Sequence, residues 1–277
     1  MFVVTPSLPD PPGFASGTPV PPRPDLRRWE PVAPPPNRKR ARRVVALGLV
    51  LSLLAGTLAA ALPAIQHAFA PQGSATEHKF LGRRADGSPT RWNPCEPVHY
   101  VVNPGRAPAG SIEDVHEAVR RISAATGIPF VYDGLTSEEP QRDRGAYLPD
   151  LYGDRWAPVV VAWEDPQATD IPFDRNGHTA AAVAKPLVPP TGEDLFVSGW
   201  VVVNLDDPNP PGFRLPGDQG PTVLHELGHI MGLDHVPQQG ELMEPSGGWM
   251  TDLGPGDSEG LHEVGIDAGC LTTPEPP

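Results

Sequence analysis

The stretch "TVLHELGHIMGLDHV", Thr222 to Val236, holds three of the chain's nine histidines within eleven residues. His225 and His229 are four apart, so on a helix they project from one face, one turn from each other, where two imidazoles can share one metal ion. Glu226 follows His225 by one step and can reach a water on that metal without being a ligand. His235, on a continued helix, would point about 80° away from His225 and more than two turns along. The helix therefore has to break, and Gly232 can adopt the positive φ that ends it and turns the chain back. Three nitrogen ligands then leave a fourth position for water, as expected of a catalytic zinc site. Five such residues at these spacings arise by chance on the order of once in 10^4 chains of this composition.

Composition divides the rest of the chain. Residues 1–37 contain twelve prolines and no periodic apolar pattern, so they cannot bury enough surface to offset ordering entropy and read as a disordered tail. The basic run "NRKRARR" (37–43) stops against "VVALGLVLSLLAGTLAAALPAIQ", Val44 to Gln66, which is 23 residues without a charge. That length crosses a bilayer, with the basic run as its cytoplasmic flank. The expected organisation is a cytoplasmic tail over 1–43, a transmembrane signal-anchor over 44–66, a polar stalk over 67–90, and one domain over 91–272 outside the cytoplasm. A cut near Ala70, after the small-residue pattern "AFA", would instead release the domain as a secreted protein.

Residues 1–43 carry eight Lys+Arg against three Asp+Glu, a net of +5, so the chain's −13 leaves −18 on everything after Arg43. An acidic exported domain argues against nucleic acid or anionic lipid as its ligand. Its two cysteines, Cys95 and Cys270, lie near its two ends. In an oxidising compartment they are expected to form one disulfide.

Within the domain, "PVHYVVN" (97–103), "FVYDGL" (130–135), "APVVVAW" (157–163), "TAAAVAKP" (179–186) and "SGWVVVNLD" (198–206) have the β-branched and aromatic content of strands. "GSIEDVHEAVRRISAATG" (110–127) places Ile112, Val115, Val119 and Ile122 on one helical stripe. Ser111 is its expected N-cap, Asp114 completes an approximate capping box, and Gly127 ends it. The histidine helix and a short helix over Asp257–Gly265 follow. The order predicts an α+β domain with a mixed sheet and helices packed on it. His116 reads as a surface or core residue of its helix.

"HELGHIMGLDH" resembles the extended zinc signature of the metzincin metalloproteases, with His225, Glu226, His229, Gly232 and His235 in the matching places. "ELMEPS", with Met243, resembles the family's Met-turn. The wording is closest to the matrixin branch, and "RWNPCEPVHYVVN" (91–103) and "LGPGDSEGLHEVG" (253–265) are similar to the opening strand and closing helix of bacterial matrixin-like domains. The resemblance implies a zincin-like catalytic domain with a twisted sheet, a long helix above the active-site helix, and a cleft for an extended peptide. It implies that one zinc is held by the three histidines, that Met243 forms a hydrophobic floor, and that Pro245 to Trp249 wall the pocket for the residue after the cut bond. "TAAAVAKP" is then the edge strand on which substrate pairs.

The chain departs from the family as well. Neither cysteine sits in a cysteine-switch motif. His99 and His178 are candidates for a structural zinc only by their nearness to strands. Calcium-loop signatures are absent, and Asp206, Asp207 and Asp218 are the candidates for a loop calcium. The expected function is a monomeric, membrane-anchored zinc endopeptidase with Glu226 as general acid/base. The alternative is an exported zinc-binding adhesion or binding module that does not turn over.

Overall fold

A computed structural model describes residues 73–175, 178–246 and 250–277. The tail, the Val44–Gln66 segment, Ala70 and the last part of the Pro245–Trp249 wall lie outside the described residues. Among the described residues, no helix is long and apolar enough to cross a membrane.

The sheet grows from two runs that are buried along their whole length, β3 (Val159–Glu164) and β7 (Ser198–Asn204). β-branched runs of this kind suit strands covered on both faces. With β1 (Val98–Val102), β2 (Phe130–Leu135) and β6 (Ala182–Leu187), they form a five-stranded sheet in the order β2-β1-β3-β7-β6. The first four strands are parallel, and β6 runs antiparallel to β7. The mixed sheet expected from the sequence is therefore present.

Side chains alternate between the two faces. On one, Val159, Val161, Trp163, Val201 and Val203 pack with helix residues; on the other, Val160, Trp200 and Val202 pack with Ile171 and Phe173. The first face is covered by α1 (Ser111–Thr126), the crossover that parallel pairing of β1 and β2 requires. Its Val115, Ala118, Val119 and Ile122 are buried, as the helical stripe predicted.

The start of α1 differs from expectation. Gly110, not Ser111, is the N-cap, and Ser111 is buried with its hydroxyl unpartnered. Asp114 does not close a capping box; its carboxylate accepts the Gly212 N–H at 2.7 Å. The Asp114 carboxylate thus serves a tertiary loop contact rather than a local cap.

Other boundaries shift for similar local reasons. The strand expected from Thr179 begins at Ala182, because β4 (Asp174–Arg175) and β5 (His178–Thr179) pair with each other as a separate small hairpin. A one-turn helix, α2 (Pro149–Tyr152), was not anticipated. Two further helices are α3 (Gln219–Ile230) and α4 (Pro255–Glu263), the latter starting two residues early because Pro255 suits the first turn.

The stalk reading of residues 67–90 requires correction for its described part. Phe80 is buried in the core, and Leu81 N–H donates to Gly232 O at 2.9 Å. The segment's polar composition concealed a backbone pairing. The domain also continues past 272, since Asn93 donates to Thr273 Oγ1 and the Trp156 indole N–H donates to Pro274 O at 2.8 Å. Cys95 and Cys270 form a disulfide across a sequence separation of 175 residues.

Beneath the second face, Arg144 and Glu138 form a buried ion pair. The guanidinium also donates to Ser198 Oγ at 2.8 Å and to Pro158 O at 3.0 Å, so its desolvation is compensated by several acceptors. Tyr152 donates to the same Glu138, and its hydroxyl is pushed up to about 12 by burial and by that carboxylate.

Candidate metal centre

α3 is buried along almost its whole length, between α1 and the sheet. It ends at Ile230, and Gly232 follows with φ +105°. Gly232 N–H donates to His229 O at 2.9 Å and Leu233 N–H to Gly228 O at 3.0 Å, the two bonds of a Schellman motif. The helix break thus lies where the third histidine required it.

The turn brings His235 back against the helix. His225 Nε2 and His229 Nε2 lie 3.1 and 3.2 Å from His235 Nε2. The other ring nitrogens are tied down: His225 Nδ1 lies 2.6 Å from Leu242 O, and His229 Nδ1 lies 2.8 Å from Leu233 O. A carbonyl can only accept, so each of these Nδ1 atoms carries the proton and each Nε2 presents a lone pair.

Three such nitrogens fit a metal. Tetrahedral zinc at 2.0–2.1 Å from each imidazole puts the nitrogens about 3.3 Å apart, within the tolerance expected of a metal site. Among the described residues, this is the one group of three His, Cys, Asp or Glu side chains whose ligand atoms, all within 4.8 Å of one another, could hold an ion.

The remaining candidates fall as follows. Glu226 is buried beside His225 and lines the same cleft as the triad. Met243 is buried, and its Sδ would lie 2.7 Å from a Cβ added at Gly228, so only glycine allows the methionine this close to the helix. His99 pairs with Asp133 at 2.9 Å on the surface, and His116 with the Tyr100 hydroxyl at 2.9 Å. His178, in β5, lines the cleft. Asp218 accepts the N–H groups of Arg214 and Leu215, and Asp207 accepts that of Asn209.

Two residues of the site escaped the sequence reading. Asp257 in α4 accepts N–H bonds from Leu242, Met243 and Gly254, fixing the methionine turn whose Leu242 carbonyl holds His225. Burial pushes its carboxyl up, against those three donors. Glu241 accepts from Ser74, Gly256 and Asp257, and burial raises it also. An acidic residue in the first turn of a helix was the available signal for Asp257.

The cleft has a volume of about 1100 Å³ and runs between α3, the methionine turn and the edge strand β6; a second cavity of about 360 Å³ adjoins His229 and His235. Asn204 N–H donates to Ala181 O, and the register pairs Ala182 with Val203. Antiparallel alternation then turns the N–H and C=O groups of Ala182 and Ala184 away from β7, toward the side on which no other described strand pairs.

No family model matches the chain, and no curated protein matches it. Among solved structures, metalloproteinase-II from Bacteroides fragilis aligns at 12% identity and a TM-score of 0.35, over 69% of this chain and 58% of that one. The alignment thus spans less than two thirds of that protein. A likeness of this size decides neither fold nor activity.

Proposed function

We propose that the chain is a zinc-dependent endopeptidase of metzincin, matrixin-like type, acting outside the cytoplasm. The observation that carries this reading is the convergence of three imidazole Nε2 atoms, with Glu226 beside them, on a cleft bounded by the outermost described strand, β6.

His225, His229 and His235 would hold the ion. Zinc in such a site lowers the pKa of a bound water to about 7 and polarises a carbonyl. Glu226 accepts the proton of the attacking water and delivers it to the leaving amine, a role worth about 10²–10⁴-fold in rate. An extended peptide pairs with the outward groups of Ala182 and Ala184, which aligns its backbone along the cleft. Met243 packs directly against Gly228 of α3, the helix that carries two of the ligands. Pro245 and Ser246, which line the cleft, wall the pocket for the residue after the cut bond.

The location belongs to the same proposal. Val44–Gln66 anchors the chain in the membrane with its N-terminus cytoplasmic, or is removed near Ala70 to give a secreted protein. The Cys95–Cys270 disulfide supports an oxidising compartment. The protease is monomeric.

The test is cleavage of an unbiased peptide library by the purified full-length chain, read by mass spectrometry. Cleavage that a chelator abolishes and zinc restores is expected. A zinc-loaded protein that cuts nothing would overturn the reading in favour of a binding module without turnover.

A further inference from the structure

Residues Lys79–Leu81 lie antiparallel to the turn that leads from α3 to His235. Leu81 N–H donates to Gly232 O at 2.9 Å and Asp234 N–H donates to Lys79 O at 2.7 Å, either side of a Phe80–Leu233 bridge. The chain then doubles back. Thr90 N–H donates to Gly82 O at 3.0 Å, and Thr90 O would lie 3.0 Å from a Cβ at Gly232. Lys79 Nζ also pairs with Asp234 Oδ2 at 2.5 Å, while Asp234 Oδ1 accepts the His235 N–H at 2.8 Å.

We infer that this upstream strap is a working part of the metal centre, positioning two of its three ligands. The inference rests on the metal reading above. His225 and His229 are placed by the helix, but His235 lies beyond it and depends on the path of residues 231–234. The strap fixes that path by backbone pairing. It also fixes Leu233, whose carbonyl holds His229 Nδ1. Phe80, buried in the core, anchors the strap to the domain. The strap residues therefore act through the histidines, as groups that hold metal ligands in place do elsewhere, where their loss costs about 10–100-fold in metal affinity.

The test uses the full-length chain with Co²⁺ alone as the probe. Affinity is read by chelator competition and ligand geometry by the visible d–d absorption. Leu81→Pro removes the N–H that bonds Gly232, and Leu81→Ala, at a partly exposed position, is its control. Asp234→Ala removes the acceptor of the His235 N–H by an independent route. Far-UV circular dichroism of the metal-free proteins establishes that each is folded.

Leu81→Pro and Asp234→Ala are expected to bind Co²⁺ about 10–100-fold more weakly, with altered visible spectra, and Leu81→Ala, which keeps the N–H, to lose less affinity than Leu81→Pro. If Leu81→Pro does not fold, Asp234→Ala decides. Wild type binding Co²⁺ tightly while the folded variants keep its affinity and spectrum would overturn the strap alone. A wild type that binds no Co²⁺ would overturn the metal reading and the strap with it.

Discussion

Replacing Gly232 with valine perturbs a backbone position on which the third ligand depends. Its φ of +105° is a conformation that L side chains rarely adopt, and a Cβ there would lie 3.0 Å from both Phe196 Cε2 and Thr90 O. The backbone strain costs about 1–3 kcal/mol. Forcing methyl groups between the aromatic ring and the Thr90 carbonyl adds about 1–3 kcal/mol. A combined loss of roughly 4 kcal/mol lowers Tm by about 8–16 °C in a domain of this size. Alternatively the turn relaxes, which relieves the strain but withdraws His235 and the Leu233 carbonyl, so metal affinity falls by about tenfold or more. Thermal unfolding of the metal-free protein and zinc titration against a competing chelator measure the two effects together. Gly232→Ala, lacking the γ-methyls, should show about half the thermal effect. A Gly232→Val protein that melts within about 2 °C of wild type and binds zinc equally well would show that the turn does not constrain the site.

Other expectations concern the scaffold. Replacing both Cys95 and Cys270 with alanine releases a loop closed across 175 residues, worth up to about 5 kcal/mol in the chain-entropy model, and should lower the non-reducing Tm by about 10–20 °C. An unchanged Tm would mean that the packed ends hold without the bond. Arg144→Ala leaves the buried Glu138 carboxylate without its cationic partner and should cost about 3–5 kcal/mol in urea unfolding; a loss under about 1 kcal/mol would contradict the buried pairing. Gly228→Leu drives a side chain into Met243, 2.7 Å from where its Cβ would stand, and should lower both stability and zinc affinity; wild-type behaviour in both would place the methionine elsewhere.

What could be read in advance was local. The four-residue spacing of His225 and His229, the step to Glu226 and the helix break at Gly232 all follow from helix geometry within eleven residues. The buried runs of β3 and β7 were equally visible, because β-branched residues covered on both faces leave an unbroken apolar stretch. The strap was not. Its contact with Gly232 is made by backbone atoms across about 150 residues of chain, and backbone pairing leaves no mark on a polar, glycine-containing segment. Asp257 was missed for a related reason: its role lies in bonds to the Leu242 and Met243 N–H groups, which side-chain spacing does not reveal. Ser111 lies inside α1 rather than at its cap, and the Asp114 carboxylate bonds the distant Gly212 N–H, a tertiary contact that local spacing does not reveal. β4 and β5, two residues each, are too short for any period to register.

The decisive measurement is peptide cleavage and bound zinc in wild type and Glu226→Gln, side by side. Wild type should hold one zinc and cut, and Glu226→Gln should hold one zinc and cut about 10²–10⁴-fold more slowly, because the triad is intact and only the proton carrier is gone. Equal cleavage by the two proteins, or a zinc-loaded wild type that cleaves nothing, would contradict the proposed hydrolysis.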